Sequence, residues 1–280
     1  MASKIVLVSA IILFVLNHAL AENKTELAGY RSKGQLGKWH GVRAKINVWP
    51  INDVLYLSRS SAYIAVHNGA EQIAAGVHVY PEMYKDYNLR FFTYWTAGDG
   101  AKRGCYNLDC PGFVLADGTN LHPGNSLYPL SDIFLGMRYI TLRIKKDENT
   151  GDWSLYREDK GGPIGGMTLV GWWPKTLFNG LVDSGNEIEW TGSVFYPSDE
   201  TPPTMGSSLF PKMLEGGAAH FYDCYGFDTA GSIYKDDYQP YPVVTKPECY
   251  NVSLWYDTGS PGYKHFFYGG RCPDPEPPSV

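Results

Sequence analysis

The sequence predicts an all-β fold in which many short strands form a sandwich or a barrel. Apolar and polar residues alternate over short stretches, which is typical of strands that turn one face to a core. The chain has 31 glycines and 19 prolines, and 15% of its residues are aromatic. Because glycines and prolines punctuate these stretches and runs that favour helices are few, we expect strands joined by turns and one short helix.

Turn signals set the limits of the predicted elements. The predicted strands cover residues 44–49, 61–67, 71–80, 90–96, 113–116, 139–145, 153–157, 167–173, 187–194, 218–227, 250–257 and 264–268. Asn68-Gly69-Ala70 is a hairpin signal, and residues 147–151 indicate a second hairpin. Residues 174–183 are the predicted helix, because Pro174 begins the segment and Ser184-Gly185 ends it.

The first 21 residues are typical of a secretory signal peptide. Lys4 precedes an apolar run at residues 5–16, and Ala19-Leu20-Ala21 is a small-residue cleavage motif. That run is too short to span a bilayer, and no later stretch is long and apolar enough to do so. We therefore expect a secreted, extracellular protein without a membrane anchor. Asn23 and Asn251 begin acceptor sequences for glycosylation on that route.

The rest of the chain predicts one domain. Residues 22–41 are polar and are expected to form a short extended lead-in, and the strands fall within residues 42–273 without a linker or a repeat. Residues 274–280 are expected to be a disordered tail. Removal of the signal takes away Lys4, so the formal net charge moves from −5 to about −6. An acidic chain of this kind is not expected to bind nucleic acid.

Five cysteines suit a secreted chain. Cys105 and Cys110 are close enough in sequence to close a small loop, and Cys249 and Cys272 flank the C-terminal segment. Cys224 is then left over. We expect a buried free thiol there, and intermolecular pairing or re-pairing is the alternative.

The stretch 187–194 alternates strictly, as a half-buried strand does. Its apolar face carries Ile188, Trp190 and Val194, and its polar face carries Glu187, Glu189, Thr191 and Ser193. A rigid sheet that presents carboxylates in this way is a good support for a catalytic acid or base. The stretch 73–80 is expected to be its partner strand.

Several motifs, in one order along the chain, resemble those of the neprosin-like proteins of plants, which are secreted glutamic peptidases. The motifs are AKINVW at 44–49, GCYNLDCPGF at 104–113, GWWP at 171–174, IEW at 188–190, CYNV at 249–252 and FYGG at 267–270. The resemblance implies a jelly-roll-like β-sandwich of two antiparallel sheets and the disulfides Cys105–Cys110 and Cys249–Cys272. It also implies an apoplastic or cell-wall protein.

The same resemblance implies an endopeptidase that works in acid, prefers to cut after proline and holds two glutamates in a cleft. One ionised carboxyl takes a proton from a shared water, and the other, protonated, donates to the scissile carbonyl or the leaving amine. Because like charges held close cannot both ionise, one pKa rises and the site works best in acid. Opposed side chains on neighbouring strands lie about 4.5–5.5 Å apart, which is near enough for such sharing. No metal or cofactor is required.

Glu189 matches the second glutamate of the family, but the first is missing. The family pattern resembles IEAGWQVYP, whereas residues 73–81 are IAAGVHVYP. Ala74 stands in place of the glutamate, Val77 in place of the tryptophan and His78 in place of the glutamine. Three positions of the cleft motif have therefore changed.

Other groups are weak substitutes for the missing carboxyl. Glu71 has an odd offset from Ala74, which places it on the opposite face of a strand. His78 shares the face of Ala74 but lies roughly 13 Å along the strand at about 3.3 Å per residue, and we expect it to be a surface or hydrogen-bonded cleft histidine. Glu187 shares the face of Glu189 at about 7 Å. Glu187, His78 and Thr191 are therefore cleft-lining candidates.

Three hypotheses remain at this point. The first is a neprosin-like protein with a degenerate site that hydrolyses peptides weakly or not at all and binds proline-containing peptides or extracellular proteins. The second is an active glutamic endopeptidase with a rearranged second carboxylate. The third is a wall or carbohydrate-binding module that uses exposed aromatic rings. Motifs for serine or zinc hydrolases do not occur in the chain.

Overall fold

The computed structural model describes residues 22–33, 38–98, 103–158, 166–212, 217–234, 240–257 and 264–273. The predicted signal peptide at 1–21 and the predicted tail at 274–280 lie outside the described residues. No helix in the described ranges is long and apolar enough to cross a membrane.

Two antiparallel sheets pack face to face, which confirms the predicted all-β sandwich. Sheet 1 contains β1 (Asn23–Lys33), β3 (Arg59–Asn68), β4 (Glu71–Val79), β5 (Arg90–Ala97), β6 (Arg103–Tyr106), β11 (Glu187–Pro197) and β13 (Tyr241–Val244). Its strand order is β13-β1-β11-β3-β4-β5-β6. The sheets are not closed into a barrel.

Sheet 2 lies across the core from sheet 1. It contains β2 (Gly41–Asn47), β7 (Val114–Leu115), β8 (Tyr139–Lys146), β9 (Trp153–Glu158), β10 (Met167–Trp173), β12 (Ala219–Phe227), β14 (Asn251–Val252), β15 (Tyr256–Asp257) and β16 (Lys264–Gly269). Its order is β14-β16-β12-β2-β8-β9-β10-β7, and β15 pairs with β16.

The core between the sheets is built from the apolar face of each strand. Ile188, Trp190 and Val194 of β11 are fully buried there, as the alternation of that stretch predicts. Removal of apolar area from water stabilises this arrangement by about 25 cal/mol per Å². The other face of β11, which carries Glu189, therefore lies on the outer side of sheet 1.

The structure corrects the predicted pairing of the two cleft strands. β3 and β4 form a hairpin in which Asn68 pairs with Glu71 across a two-residue turn, and Gly69 adopts the left-handed φ of 62° that this turn needs. β11 pairs with the other edge of β3. Hence β3 lies between β11 and β4, and the expected direct contact between them is absent.

One short helix was predicted, and its position is wrong. The described helix is α1 (Pro81–Tyr84), whereas the expected helix at 174–183 is only a 3-10 turn at Lys175–Leu177. The N–H groups of Asn179, Gly180 and Leu181 donate to the Glu71 carboxylate and not to helix carbonyls. This competing acceptor explains why the segment does not continue as a helix.

Three strands have no counterpart among the predicted elements. β1 runs through the segment expected to be an extended lead-in, and it lies inside sheet 1 between β11 and β13. β6 and β13 are short edge strands, and the stretch predicted at 250–257 is split into β14 and β15. β1 and β13 gain hydrogen bonds from partners that are distant in sequence, which local alternation does not reveal.

Both predicted disulfides are confirmed. Cys105 bonds Cys110, and Cys249 bonds Cys272. Cys224 is free and buried, as predicted, and burial raises the pKa of its thiol. Disulfides persist in oxidising compartments, so they fit an extracellular protein.

Glu71 is a buried structural carboxylate, and its replacement is expected to destabilise the fold. Its two oxygens accept four backbone N–H groups, those of Gly98, Asn179, Gly180 and Leu181. Burial opposes ionisation, but the N–H groups together outweigh it and lower the pKa of Glu71. Glu71→Gln turns an amide NH₂ toward two of these donors, so the free energy of unfolding should fall by about 2–4 kcal/mol in urea titrations.

The matched control is Glu248→Gln, because Glu248 is exposed. That change should leave stability within about 0.5 kcal/mol of the wild type. Equal urea midpoints for the two variants would contradict a structural role for the Glu71 carboxylate.

Candidate functional site

The outer face of sheet 1 holds the candidate site in a single cross-strand row. The registers of the strands align Tyr241, Arg31, Glu189, Ala65, Ala74, Tyr94 and Tyr106 from β13 to β6. We call this set the Glu189 row. Glu189 and Ala74 therefore lie at the same level of the sheet, although on strands that are not neighbours.

Glu189 is buried and bound to two nitrogen donors. Its side chain is 1% exposed; Arg31 Nη2 donates to Oε1 at 3.1 Å, and His67 Nε2 lies 2.8 Å from Oε2. Burial raises the pKa of Glu189, but His67 and Arg31 outweigh burial and lower it. Because an ionised carboxylate only accepts hydrogen bonds, His67 must donate through Nε2.

The second carboxyl on this strand is also held by Arg31. Glu187 Oε1 lies 3.5 Å from Arg31 Nη1, and Glu187 Oε2 accepts the hydroxyl of Tyr241 at 2.5 Å. The Arg31 guanidinium therefore contacts both carboxylates, and its positive charge reduces the repulsion between them. Glu187 shares the face of Glu189, as predicted, and its two carboxylate oxygens contact Arg31 and Tyr241.

Ala74 is separated from Glu189 by one strand. Ala65 pairs with Glu189 on one side and with Ala74 on the other. Two strand spacings put the backbones of positions 189 and 74 about 9–10 Å apart, farther than the 4.5–5.5 Å expected for direct neighbours. The methyl groups of Ala65 and Ala74 supply no proton to the space between them.

The three changed motif positions do not share one face. Val77 packs in the core with Ile73 and Val79. His78 lies on the outer face with Ala74, as its parity predicts. A change at position 77 therefore alters core packing, whereas the changes at 74 and 78 alter the surface of the site.

His78 is hydrogen-bonded and fully buried. Its ring stacks on Phe92 with centroids 4.3 Å apart, and Nε2 lies 3.0 Å from the Tyr84 hydroxyl. Burial, with the nearby charges of Arg59 and Arg90, lowers the pKa of His78 well below 6.5. It is therefore a neutral packing residue two rows from Ala74. Thr191, the other cleft-lining candidate, is also buried, and its hydroxyl donates to the carbonyl of Gly192 at 3.1 Å.

An aromatic surface continues from the Glu189 row, and the sequence did not predict it as part of the site. Tyr94 and Tyr106 lie with ring centroids 4.6 Å apart. The Arg59 guanidinium lies over the rings of Tyr80, Tyr106 and Phe195 at 5.2–5.5 Å. The sequence pattern that could have predicted this surface is the pair Phe92 and Tyr94, which lie two residues apart and therefore on one face of β5. This surface is defined by Arg59, Tyr80, Tyr94, Tyr106 and Phe195, and we call it the aromatic wall.

The described ranges contain no group of three or more His, Cys, Asp or Glu side chains arranged to hold a metal ion. The site geometry is that of a carboxylate, a guanidinium and an imidazole on a β-sheet beside aromatic rings. Such groups are able to transfer protons and to recognise charge.

The fold and the site together define a two-sheet β-sandwich with a glutamate on the outer face of one sheet. The Neprosin family model matches residues 57–271, which is more than half of the chain. The chain therefore belongs to the Neprosin family, and this membership confirms the resemblance that the motifs indicated. Arg31 lies ahead of the matched segment.

Solved structures of two peptidases are also similar to this chain. Scytalido-glutamic peptidase with a transition state analog inhibitor is 14% identical with a TM-score of 0.46. SCP-B, a member of the Eqolisin family of peptidases in complex with the tripeptide Ala-Ile-His, is 13% identical with a TM-score of 0.45. Each alignment covers 88% of this chain and 100% of the other chain. These scores are too low to carry residue roles from those peptidases to this chain.

The lowered pKa of Glu189 gives a pH-dependent contribution to stability. A carboxyl with a depressed folded-state pKa contributes stability above its unfolded pKa, and that contribution is lost as pH falls through the folded value. Glu189→Gln should therefore lower the free energy of unfolding by about 1–3 kcal/mol at neutral pH. The difference from wild type should shrink in acid below the ordinary value of 4.5, as measured by urea unfolding at several pH values.

Glu158→Gln is the matched control, because Glu158 pairs with Arg43 at 2.9 Å but is 41% exposed. Surface ion pairs contribute about 0–1 kcal/mol. A Glu189→Gln effect that is no larger than this control, or that does not depend on pH, would contradict an ionised and paired Glu189.

Proposed function

We propose that this chain is a secreted, extracellular Neprosin-family protein whose peptidase site is degenerate and which binds proline-containing peptides without efficient hydrolysis. The observation that carries the proposal is the set of partners around Glu189. Arg31 and His67 each bind one oxygen of the Glu189 carboxylate, and Ala74 occupies the aligned position where the family motif has its other glutamate.

The reaction needs two carboxyl groups in different protonation states. Glu189 has the lowered pKa of a base, so it is suited to take a proton from an attacking water. A protonated partner is then needed to donate to the carbonyl or the amine. Alanine at position 74 has no titratable group, and Glu187 is bound to Arg31 and Tyr241. Glu71, on the same strand as Ala74, is engaged by four backbone N–H groups of other segments.

The test is a cleavage assay on a proline-containing peptide from about pH 2 to 6, the range in which a shared-proton carboxyl pair works. Wild type should show little or no cleavage. Ala74→Glu should introduce cleavage in acid, because two glutamate side chains that extend over Ala65 can share one water. Glu189→Gln in the Ala74→Glu background should abolish it.

Ala74→Leu is the matched control, since it adds a side chain at the same place without a carboxyl. It should stay inactive, and thermal unfolding should establish that both variants at position 74 are folded. Efficient wild-type cleavage that Glu189→Gln removes would overturn the proposal and favour an active endopeptidase.

The aromatic wall supports retained peptide binding. Aromatic-lined grooves bind proline-rich segments because the extended polyproline conformation is preformed and packs on flat rings. Tyr94 and Tyr106 lie in the Glu189 row and are partly exposed. The wall therefore offers apolar ring faces beside the buried carboxylate.

Tyr94→Ala should weaken binding of a fluorescently labelled proline-rich peptide by about tenfold, because it removes a ring from this wall. Fluorescence anisotropy at neutral pH measures the affinity. Tyr222→Ala is the control, since Tyr222 is 36% exposed on sheet 2, and it should bind as wild type does. Binding of a soluble cell-wall glycan in place of the peptide would favour the carbohydrate-binding hypothesis and contradict this one.

A further inference from the structure

The loop between β7 and β8 exposes three consecutive large apolar side chains to solvent. Phe134 is 92% exposed, Leu135 is 80% exposed and Ile133 is 55% exposed. Residues 131–138 form this projection, which we call the apolar finger. Tyr128, a few residues earlier, is 93% exposed. Adjacent exposed apolar residues of this size mark an interaction surface more often than single ones do.

The base of the apolar finger is fixed by a buried polar network. Ser131 Oγ accepts the N–H of Arg138 at 2.8 Å and donates to the carbonyl of Arg138 at 3.1 Å. The amide of Asn47 donates to Ser131 Oγ and to the same carbonyl, both at 3.0 Å. Asn47 is 1% exposed and Ser131 is 2% exposed. The base of the apolar finger is therefore tied to the end of β2 and to the residue that precedes β8.

The tip satisfies its own backbone N–H groups. Asp132 and Gly136 exchange two backbone hydrogen bonds at 3.2 and 2.9 Å. Asp132 Oδ1 accepts the N–H groups of Phe134 and Leu135 at 2.8 and 2.9 Å. Gly136 supplies the left-handed φ of 99° that closes the turn. Four N–H groups of the tip, those of Asp132, Phe134, Leu135 and Gly136, therefore have hydrogen-bond partners within the tip itself.

The charges around the apolar finger also suit a lipid surface. Between residues 127 and 139 the charged residues are Asp132 and Arg138, and the Asp132 carboxylate already accepts two N–H groups. Arg138 lines a cavity of about 480 Å³ with Tyr128 and Tyr139. Tyrosine and arginine are suited to the polar interface that flanks a bilayer core. The three inserted side chains themselves carry no charge, and the Asp132 carboxylate beside them is bound to two backbone N–H groups.

We infer that the apolar finger inserts Ile133, Phe134 and Leu135 into the interface of a zwitterionic lipid bilayer and so holds the protein on a membrane surface. The convex shape of the tip fits a fluid surface, because it needs no matching groove. The formal net charge of −5 opposes adsorption on anionic lipid. Binding should therefore arise from apolar burial.

The test uses the full chain and phosphatidylcholine vesicles in a co-sedimentation assay. Wild type should partition into the vesicle pellet, and Phe134→Ser should weaken partitioning by about 10- to 100-fold, the loss expected for one aromatic side chain. Raising NaCl from about 0.1 to 1 M should leave wild-type partitioning unchanged, because screening acts on charge and not on apolar burial.

Leu254→Ser is the matched control. Leu254 is 75% exposed and lies between β14 and β15, outside the apolar finger. It should partition as wild type does, which separates insertion of the finger from a general effect of surface hydrophobicity. Both variants change exposed side chains, so thermal unfolding should match wild type.

A second variant reports the depth of insertion. Phe134→Trp should keep partitioning, and phosphatidylcholine with brominated acyl chains should quench the added fluorescence relative to wild type. Failure of wild type to sediment with vesicles would overturn the inference. Equal partitioning of Phe134→Ser and wild type would also overturn it. So would wild type that does not bind vesicles but self-associates in size-exclusion chromatography, if Phe134→Ser abolishes that self-association, because the apolar finger would then contact a second copy of the chain.

Discussion

The contact of Glu189 with Arg31 and His67 is the interaction on which the site depends. A carboxylate that is 1% exposed is stable as an anion only when charged or polar partners replace the lost water, since burial of an unpaired ion costs several kcal/mol. Arg31 comes from β1 and His67 from β3, the two strands that flank β11. The charge of one side chain therefore links three strands and gives β1 a role in the site as well as in the sheet.

Much of the fold follows from local sequence, because the period of a strand is short. The alternation of residues 187–194 correctly placed Ile188 and Trp190 in the core, and Asn68-Gly69-Ala70 correctly indicated the hairpin that follows β3. Strand order was not accessible in this way. β3 enters between β11 and β4 through pairings between residues that are more than a hundred positions apart, and no local pattern encodes them.

Side-chain partners were harder to predict than strands, for the same reason. The residues around Glu71 in the sequence are those of an ordinary strand. Its carboxylate nevertheless accepts the N–H groups of residues 179–181, which would bond to backbone carbonyls in a helix. The helix expected from Pro174 and Ser184-Gly185 does not form, because its N–H groups donate to a carboxylate about a hundred residues away in sequence. Arg31, in a segment expected to be a lead-in, holds two glutamates of another strand. In each case the missing information was a contact between distant segments, and not a propensity.

Glu189 and Ala74 differ in the contacts that surround them in the folded chain. Glu189 has partners on β1 and β3, so its presence is explained by charge pairing even where no reaction occurs. Ala74 lies on the outer face of sheet 1, away from the sheet edges. Its neighbours in the Glu189 row, Ala65 and Tyr94, carry no charge that would pair with a carboxylate. The contacts described around Ala74 include no cation. The presence of Glu189 is therefore weak support for catalysis, and the residue at position 74 is the stronger indicator of whether the site can transfer protons between two carboxyls.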